Sequence, residues 1–256
     1  MRTLCRPMFS ALLALGLACC VPLQAQPLRV AAASNLKFVL ADLEALYRQQ
    51  TGLQTEFTLG ASVQLARQIQ QGLPVQLFIS ADEAQVAWLV QAGLAREAGQ
   101  RYALGRLALV SPRGSGIPVA DGLEAALRAL RPGDKLAIAN PQLAPYGLAA
   151  RDLLQKSSAW PAVQKQLVLG DHIGQATQFV LTGAAPLGIT AYSLALAPEA
   201  AERLQVWPVP AALHAPLPQA LVLLKNAGPE ARAFRDFLLG PAARPLWLRH
   251  GYALPQ

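Results

Sequence analysis

The hydrophobic pattern alternates between short apolar runs and longer stretches in which apolar residues recur every three or four positions. The apolar runs predict buried strands at residues 28–33, 55–59, 75–79, 107–110, 135–139, 167–169, 187–190 and 220–224. The helical spacing predicts helices that start after Ser34-Asn35, Ser62 and Asp82, and further helices at 148–154, 173–181, 229–239 and 241–248. Because strand and helix alternate along the chain, we predict an α/β fold with mainly parallel sheets and helices on both faces.

Composition narrows the class of protein. The chain of 256 residues is 53% hydrophobic and 14% charged, with a formal net charge of +7, which excludes disorder as its dominant state and predicts one large or two smaller globular units. Lysine and arginine form no dense cluster, so we expect no nucleic-acid partner. A small anionic ligand would suit the positive charge, although charge alone does not identify one.

Residues 1–25 have the pattern of an export signal. Two arginines precede an apolar segment from Met8 to Val21, and Ala25 supplies the small residue before a cleavage point. All three cysteines lie in this segment, so we expect a mature chain without disulfides, thiolate catalysis or cysteine metal ligands. Acylation of Cys20 is disfavoured, because Cys19 stands where a lipoprotein signal has a small residue.

Two serines stand where a predicted strand gives way to a predicted helix. Ser34 follows the first strand and Ser62 follows the second, while Gly147 and Ile173 stand at two further helix starts. A helix N-terminus presents unpaired N–H groups and a positive dipole end, which together can bind an anion without a charged side chain. The alternative is that both serines are N-caps with no part in ligand binding.

Other chemistries have weaker support in the sequence. The three histidines are too scattered for a zinc site, and neither a phosphate loop nor a GxGxxG motif is present. Ser34-Asn35-Leu36-Lys37 matches the S-x-x-K motif of penicillin-binding proteins, but the partner motifs S-D-N and K-T-G are missing. A serine hydrolase that uses Ser34 therefore remains as an alternative.

A set of motifs spans the mature chain in a fixed order. They include Ala31-Ala32-Ala33-Ser34-Asn35-Leu36, Leu59-Gly60-Ala61-Ser62, Phe78-Ile79-Ser80-Ala81-Asp82, Ile138-Ala139-Asn140-Pro141, Ala144-Pro145-Tyr146-Gly147 and Gly188-Ile189-Thr190. Together they resemble the periplasmic molybdate-binding proteins of ABC importers, in the subgroup that carries a Pro-Tyr-Gly turn.

The resemblance implies a type II periplasmic binding fold, in which two α/β lobes enclose the ligand in the cleft between them. After the signal at 1–25, lobe one would comprise residues 26–104 and 209–256, and lobe two would comprise residues 105–208. The hinge strands would then lie near residues 105 and 208.

The resemblance also implies the ligand set. Ser34 and Ser62 would each give a hydroxyl, Asn35 and Ile173 would give backbone N–H groups, and Tyr146 would contact the anion. Many members of the family carry a ligand tyrosine three residues after the glycine that matches Gly188, but Ala191 occupies that position here. Tyr192 is one residue further and would point to the other strand face. We therefore expect the phenol of Tyr146 to replace the missing one.

The function implied is that of a periplasmic protein that binds molybdate or tungstate and delivers it to an inner-membrane ABC permease. Such a protein is not an enzyme, has no catalytic residue and needs no cofactor or directly coordinated metal. We expect a monomer without lipid anchor. A binding protein for sulfate or another oxyanion is the alternative of the same kind.

Overall fold

The computed structural model describes residues 26–255. The export signal predicted for residues 1–25, including its cleavage point and Cys20, therefore lies outside the described residues. None of the helices between residues 26 and 255 has the length and hydrophobicity of a membrane-spanning segment.

The described residues form two five-stranded sheets with the same arrangement. The strands are β1 Leu28–Ala33, β2 Thr55–Gly60, β3 Leu77–Ile79, β4 Gln100–Gly105, β5 Leu107–Pro112, β6 Leu136–Ala139, β7 Leu167–Gly170, β8 Leu187–Ala191, β9 Leu204–Pro208 and β10 Leu217–Leu223. The first sheet has the order β2-β1-β3-β10-β4, and the second has the order β7-β6-β8-β5-β9. In each sheet one strand, β10 or β5, runs antiparallel to both of its neighbours, and the other strands share one direction. The predicted fold class is thereby confirmed.

Helices cover the faces of both sheets. They are α1 Lys37–Thr51, α2 Ser62–Gln70, α3 Ala84–Gln91, α4 Leu123–Arg128, α5 Pro145–Lys156, α6 Trp160–Val163, α7 Ile173–Leu181, α8 Tyr192–Ala195, α9 Pro198–Arg203, α10 Pro229–Leu239 and α11 Arg244–Arg249. Short 3₁₀ turns lie at Ser34–Leu36, Val119–Asp121 and Ala211–Leu213.

The first helix illustrates how the sequence pattern produces these elements. Val39, Leu40, Leu43 and Tyr47 are buried on α1, at the spacing that brings side chains to one face of a helix. The helix ends at Gly52, whose φ of 74° lies in the left-handed region that favours glycine. The helix predicted after Ser34-Asn35 is confirmed.

The chain passes between the sheets in two places. In the first, β4 is followed directly by β5, and in the second, β9 is followed by β10. The first sheet therefore takes its strands from residues 28–105 and 217–223, and the second takes its strands from residues 107–208.

Some sequence-based boundaries were wrong. The turn predicted at Pro145-Tyr146-Gly147 is the first turn of α5, because proline is well accommodated at the first position of a helix, where its missing N–H is not needed. The strands predicted to start at residues 75 and 220 start at Leu77 and Leu217. The pattern also missed β4, β9, α4, α6, α8 and α9, most of which are too short to show a clear period.

Candidate functional site

Four helix starts converge on one small cavity between the sheets. The 3₁₀ turn before α1 follows β1, α2 follows β2, and α5 and α7 follow β6 and β7 of the second sheet. The cavity is lined by Ala33, Ser34, Asn35, Gly60, Ala61, Ser62, Ala81, Ala144, Pro145, Tyr146 and Ile173. All five residues that the sequence analysis selected as ligand-binding residues thus line the same cavity.

The two serines of the cavity are held in the same way. The backbone N–H of Gly174 donates to Ser34 Oγ at 3.3 Å, and the backbone N–H of Ala81 donates to Ser62 Oγ at 3.0 Å. Both serines are buried. Because each oxygen accepts a backbone N–H, the hydroxyl proton of each serine remains available for an acceptor inside the cavity.

The N-cap interpretation of these serines is wrong. Ser34 and Ser62 are the first residues of their helical segments, and the N-cap positions are taken by Ala33 and Ala61, with no capping side chain at either. The hydroxyl groups therefore satisfy no N–H of their own helix; they accept from the N–H groups of Gly174 and Ala81 instead.

Backbone N–H groups add further donors. Ser62 and Ile173 are the first residues of α2 and α7, and Tyr146 is the second residue of α5. The first N–H groups of a helix have no intrahelical acceptor. They carry the positive end of the helix dipole, which favours an anion in front of them.

A glycine allows α5 to approach the second sheet. A Cβ on Gly147 would lie 2.2 Å from the carbonyl oxygen of Ala139 at the end of β6. That distance is far below a van der Waals contact, so only glycine permits this approach. The start of α5, with the N–H of Tyr146, is thereby held against the edge of the cavity.

The cavity is uncharged but polar. Of the described residues that line it, none is Asp, Glu, Lys, Arg or His. Burial raises the pKa of the Tyr146 phenol well above its ordinary value, so this group stays neutral at physiological pH. Hydroxyl and N–H dipoles are then the groups that a buried anion would meet.

The Tyr146 hydroxyl lies at the chain crossing between β4 and β5. It accepts a hydrogen bond of 2.9 Å from Gln219 Nε2, and it lies beside Gly105, the last residue of β4. This position favours the backbone N–H as the group that Tyr146 offers to a ligand.

Ala191 and Tyr192 also lie beside the crossing from β4 to β5. Ala191 ends β8, and the next residue, Tyr192, donates its backbone N–H to the Arg106 carbonyl at 2.8 Å. The Arg106 guanidinium lies 4.9 Å from the centre of the Tyr192 ring. Tyr192 therefore packs against the chain crossing.

Asn35 is fixed by a ring of hydrogen bonds behind the cavity. The side-chain Nδ2 of Asn35 donates to the Tyr252 hydroxyl at 2.9 Å, and this hydroxyl donates to Ser193 Oγ at 3.1 Å. Ser193 Oγ in turn donates to the backbone carbonyl of Asn35 at 3.0 Å. Asn35 Nδ2 also donates to Gln219 Oε1 at 3.1 Å. The Nδ2 of Asn35 is thus engaged, whereas its Oδ1 is buried without a hydrogen-bond partner among the described residues. The donor that Asn35 can offer to a ligand is therefore its backbone N–H.

Sequence reasoning missed Gln219, Tyr102, Ser193 and Tyr252. All four are buried. The one available signal was Gln219, a polar residue next to the apolar run that predicts β10, because a buried amide in a strand needs partners.

The features behind the alternative chemistries have other roles. His172 is the N-cap of α7, and its Nδ1 accepts from the Gln175 N–H at 3.2 Å. Burial lowers the pKa of His172, which keeps the ring neutral and able to accept. Lys37, the lysine of the S-x-x-K match, has its ammonium 5.2 Å from the ring centre of Phe38. Among the described residues, no group of three or more His, Cys, Asp or Glu could hold a metal ion.

The fold and the cleft are those of a solute-binding protein, and the comparisons with known proteins agree. Residues 28–253 match the family described as bacterial extracellular solute-binding protein. The chain belongs to this family. Its members bind and carry solutes, so the protein is not an enzyme, and the hydrolase interpretation of Ser34 is wrong.

Several relatives of this chain carry a more specific name. This chain is 34% identical over 243 residues to the molybdate-binding protein ModA of Rhodobacter capsulatus, with 94% of this chain and 93% of that protein aligned. This chain is also 35% identical over 243 residues to ModA of Azotobacter vinelandii, with 93% of this chain and 94% of that protein aligned. The solved structure of the Azotobacter vinelandii periplasmic molybdate-binding protein superposes with a TM-score of 0.79 at 31% identity, covering 90% of this chain and 100% of that one.

Proposed function

We propose that this protein binds molybdate or tungstate in the periplasm and delivers the oxyanion to an inner-membrane ABC permease. The observation that carries the proposal is that Ser34, Asn35, Ser62, Tyr146 and Ile173 all line one cavity without a charged side chain. The names of the relatives at 34% and 35% identity point to the same ligand.

We assign the ligand contacts by the chemistry of each group. The hydroxyl groups of Ser34 and Ser62 donate to the oxyanion, since both oxygens already accept a backbone N–H. The N–H groups of Asn35, Ser62, Tyr146 and Ile173 complete the set. Hydrogen bonds to a charged acceptor contribute about 1.5–3 kcal/mol each, so a donor set of this size can bind a dianion without a cationic side chain.

The two sheets correspond to two lobes in this proposal. Lobe one comprises residues 26–104 and 209–256, and lobe two comprises residues 105–208. Ser34 and Ser62 then act from lobe one, whereas Tyr146 and Ile173 act from lobe two. Because donors come from both sides, the bound oxyanion stabilises the closed cleft.

The donor set also predicts selectivity among oxyanions. Hydrogen phosphate carries an O–H that needs an acceptor, whereas the groups offered here are donors. An unsatisfied O–H costs about 1–3 kcal/mol on burial. Sulfate is a bare dianion like molybdate and differs from it in size. We therefore expect the dimensions of the cavity to separate these two, and tungstate to bind as molybdate does.

A panel of thermal melts tests the proposal. A ligand that binds only the folded state raises the melting temperature with the logarithm of its excess over the dissociation constant. We expect molybdate and tungstate to raise it and phosphate to leave it unchanged at equal concentration. A larger rise with sulfate than with molybdate would instead support the sulfate-binding alternative, and no rise with any of the four would refute oxyanion binding.

A further inference from the structure

Gln219 is a buried polar residue that belongs to neither the cavity lining nor the predicted ligand set. It lies in β10 of the first sheet with a side chain that is 0% exposed. The β10–β4 pairing shifts register between Gln219 and Ala220, so a bulge stands at this point of the strand. An amide buried in a strand is expected to satisfy its hydrogen bonds with other side chains.

The side-chain amide of Gln219 bonds three residues. Its Oε1 accepts from Tyr102 OH at 2.6 Å and from Asn35 Nδ2 at 3.1 Å. Its Nε2 donates to the Tyr146 hydroxyl at 2.9 Å. Two of these partners, Asn35 and Tyr146, line the oxyanion cavity.

The two cavity partners come from opposite sheets. Asn35 follows β1 of the first sheet, and Tyr146 lies in α5, which packs on the second sheet. Gln219 therefore connects the two halves of the site directly behind the cavity. Both groups of the Gln219 amide are used: its carbonyl oxygen accepts from Asn35, and its NH₂ group donates to Tyr146.

This connection lies at the chain crossing between the sheets. A Cβ on Gly105, where β4 leads into β5, would lie 2.4 Å from Gln219 Nε2 and 2.4 Å from the Tyr146 hydroxyl. The absence of a side chain at Gly105 leaves the space in which the two groups meet. A change in the angle between the sheets would thus alter the contact between Gln219 and Tyr146.

We propose that Gln219 is a positioning residue for the oxyanion site, which holds Asn35 and Tyr146 in binding geometry across the hinge. The proposal rests on the proposed function of the cavity. It assigns to Gln219 no contact with the ligand, so its effect on affinity passes through its two partners.

The substitution Gln219→Glu provides a test that depends on pH. A protonated glutamic acid keeps one donor and one acceptor, and so it can replace the amide. An ionised carboxylate loses the donor to Tyr146 and adds a negative charge behind the anion. Burial raises the pKa of a carboxyl group, which brings its titration into an accessible range.

We expect Gln219→Glu to bind molybdate about tenfold or more weakly than the parent at pH 8.5, and within about threefold of it at pH 6. The parent should show no such recovery. Gln76→Glu is the matched control, because Gln76 is half-buried in the same lobe and bonds the Gly228 N–H at 2.8 Å, away from the cavity. This control introduces the same charge and should bind like the parent at both pH values.

Dissociation constants are to be measured by calorimetry well below the melting temperature of each variant, so that a loss of stability alone does not enter. If Gln219→Glu binds like the parent at pH 8.5, or remains equally weak at pH 6, the positioning role is refuted. If the parent itself binds no oxyanion, the proposed function fails and this role fails with it. If the parent binds molybdate and Gln219→Glu gives one of the refuting results, only the positioning role fails.

Tyr102→Phe offers a second variant in case Gln219→Glu does not fold. It removes the hydroxyl that donates to Gln219 Oε1 and introduces no charge. We expect about a threefold loss of molybdate affinity with a parent-like pH profile. An unchanged affinity in this variant would contradict the proposal.

Discussion

The hydroxyl oxygen of Ser34 and the backbone nitrogen of Gly174 lie 3.3 Å apart, although they belong to opposite sheets. Ser34 follows β1 of the first sheet, and Gly174 lies in the first turn of α7 on the second. A Cβ on Gly174 would be 3.6 Å from Ser34 Cβ. The cleft is therefore closed at this point, and the proposed ligand groups of the two lobes already face each other.

Removal of either serine hydroxyl should weaken ligand binding more than it weakens the fold. We expect Ser34→Ala and Ser62→Ala each to cost about 1–3 kcal/mol of molybdate binding free energy, because a charged acceptor loses one donor. Calorimetric titration gives the affinity, and thermal melts of the same samples without ligand give the stability.

Ser157→Ala is the control for these variants, because the Ser157 hydroxyl bonds the Leu154 carbonyl at the end of α5, away from the cavity. It should leave affinity unchanged. Serine variants that melt at lower temperature but bind with parent affinity would show that the two hydroxyl groups have only a structural role.

Tyr146→Phe distinguishes the two groups that this residue could offer. The substitution retains the backbone N–H and removes the hydroxyl that accepts from Gln219 Nε2. We expect a loss of about 1–3 kcal/mol in the free energy of unfolding, because a buried donor loses its acceptor, and only about a threefold loss of molybdate affinity. Chemical denaturation and calorimetry measure the two quantities. An affinity loss of about a hundredfold would instead identify the phenol as a direct donor, as the sequence analysis expected.

The alternation of strands and helices was predictable because most elements are long enough to show their period. The paired arrangement of β1 and α1 follows from a buried apolar run, an amphipathic stripe and the stop at Gly52. The helices α4, α6, α8 and α9, of four to six residues each, were missed because fewer than two turns show no distinct period. Strand β9 was missed because Leu204–Pro208 is mostly half-buried and contains no continuous apolar run.

The candidate site was predictable to a similar extent. Local pattern identified Ser34 and Ser62, because each follows a strand at a helix start. It gave no indication that the Tyr146 hydroxyl would bond Gln219, 73 positions further along the chain. Such a contact depends on how the two sheets meet, and no local period reports this.

Gly147→Ala should disrupt the site through the backbone. The new Cβ would meet the Ala139 carbonyl oxygen at 2.2 Å, so the start of α5 must move away from β6. We expect a destabilisation of about 1–3 kcal/mol or more from overpacking, together with a loss of molybdate affinity because the N–H of Tyr146 moves. Leu148→Ala is the neighbouring control, since Leu148 is 49% exposed. Parent-like affinity in Gly147→Ala would argue against a ligand role for this helix start.

The pH dependence of stability should reflect the buried tyrosines. Burial raises the pKa values of Tyr102, Tyr146 and Tyr252 above their ordinary value of 10.0. The unfolded chain then loses these protons at lower pH than the folded chain does. Their contribution to stability is therefore fully present below about pH 10 and is lost as the pH rises above it.

We expect the melting temperature to fall steeply above pH 10. Molybdate affinity should remain constant from pH 6.5 to 9, because the one titratable side chain among the cavity-lining residues, the Tyr146 phenol, has a pKa raised well above its ordinary value. Melts and titrations across this range provide the check. A marked change of affinity between pH 6.5 and 9 would indicate a titrating group at the ligand that the cavity lining does not contain.

Calorimetric titration of the purified protein with molybdate, with sulfate as competitor, measures whether the cavity shared by Ser34, Asn35, Ser62, Tyr146 and Ile173 binds one bare tetrahedral dianion. We predict one molybdate per chain with a dissociation constant in the micromolar range or below, and no displacement by an equal concentration of sulfate. The absence of a binding isotherm with molybdate, or full displacement by equimolar sulfate, would contradict the account.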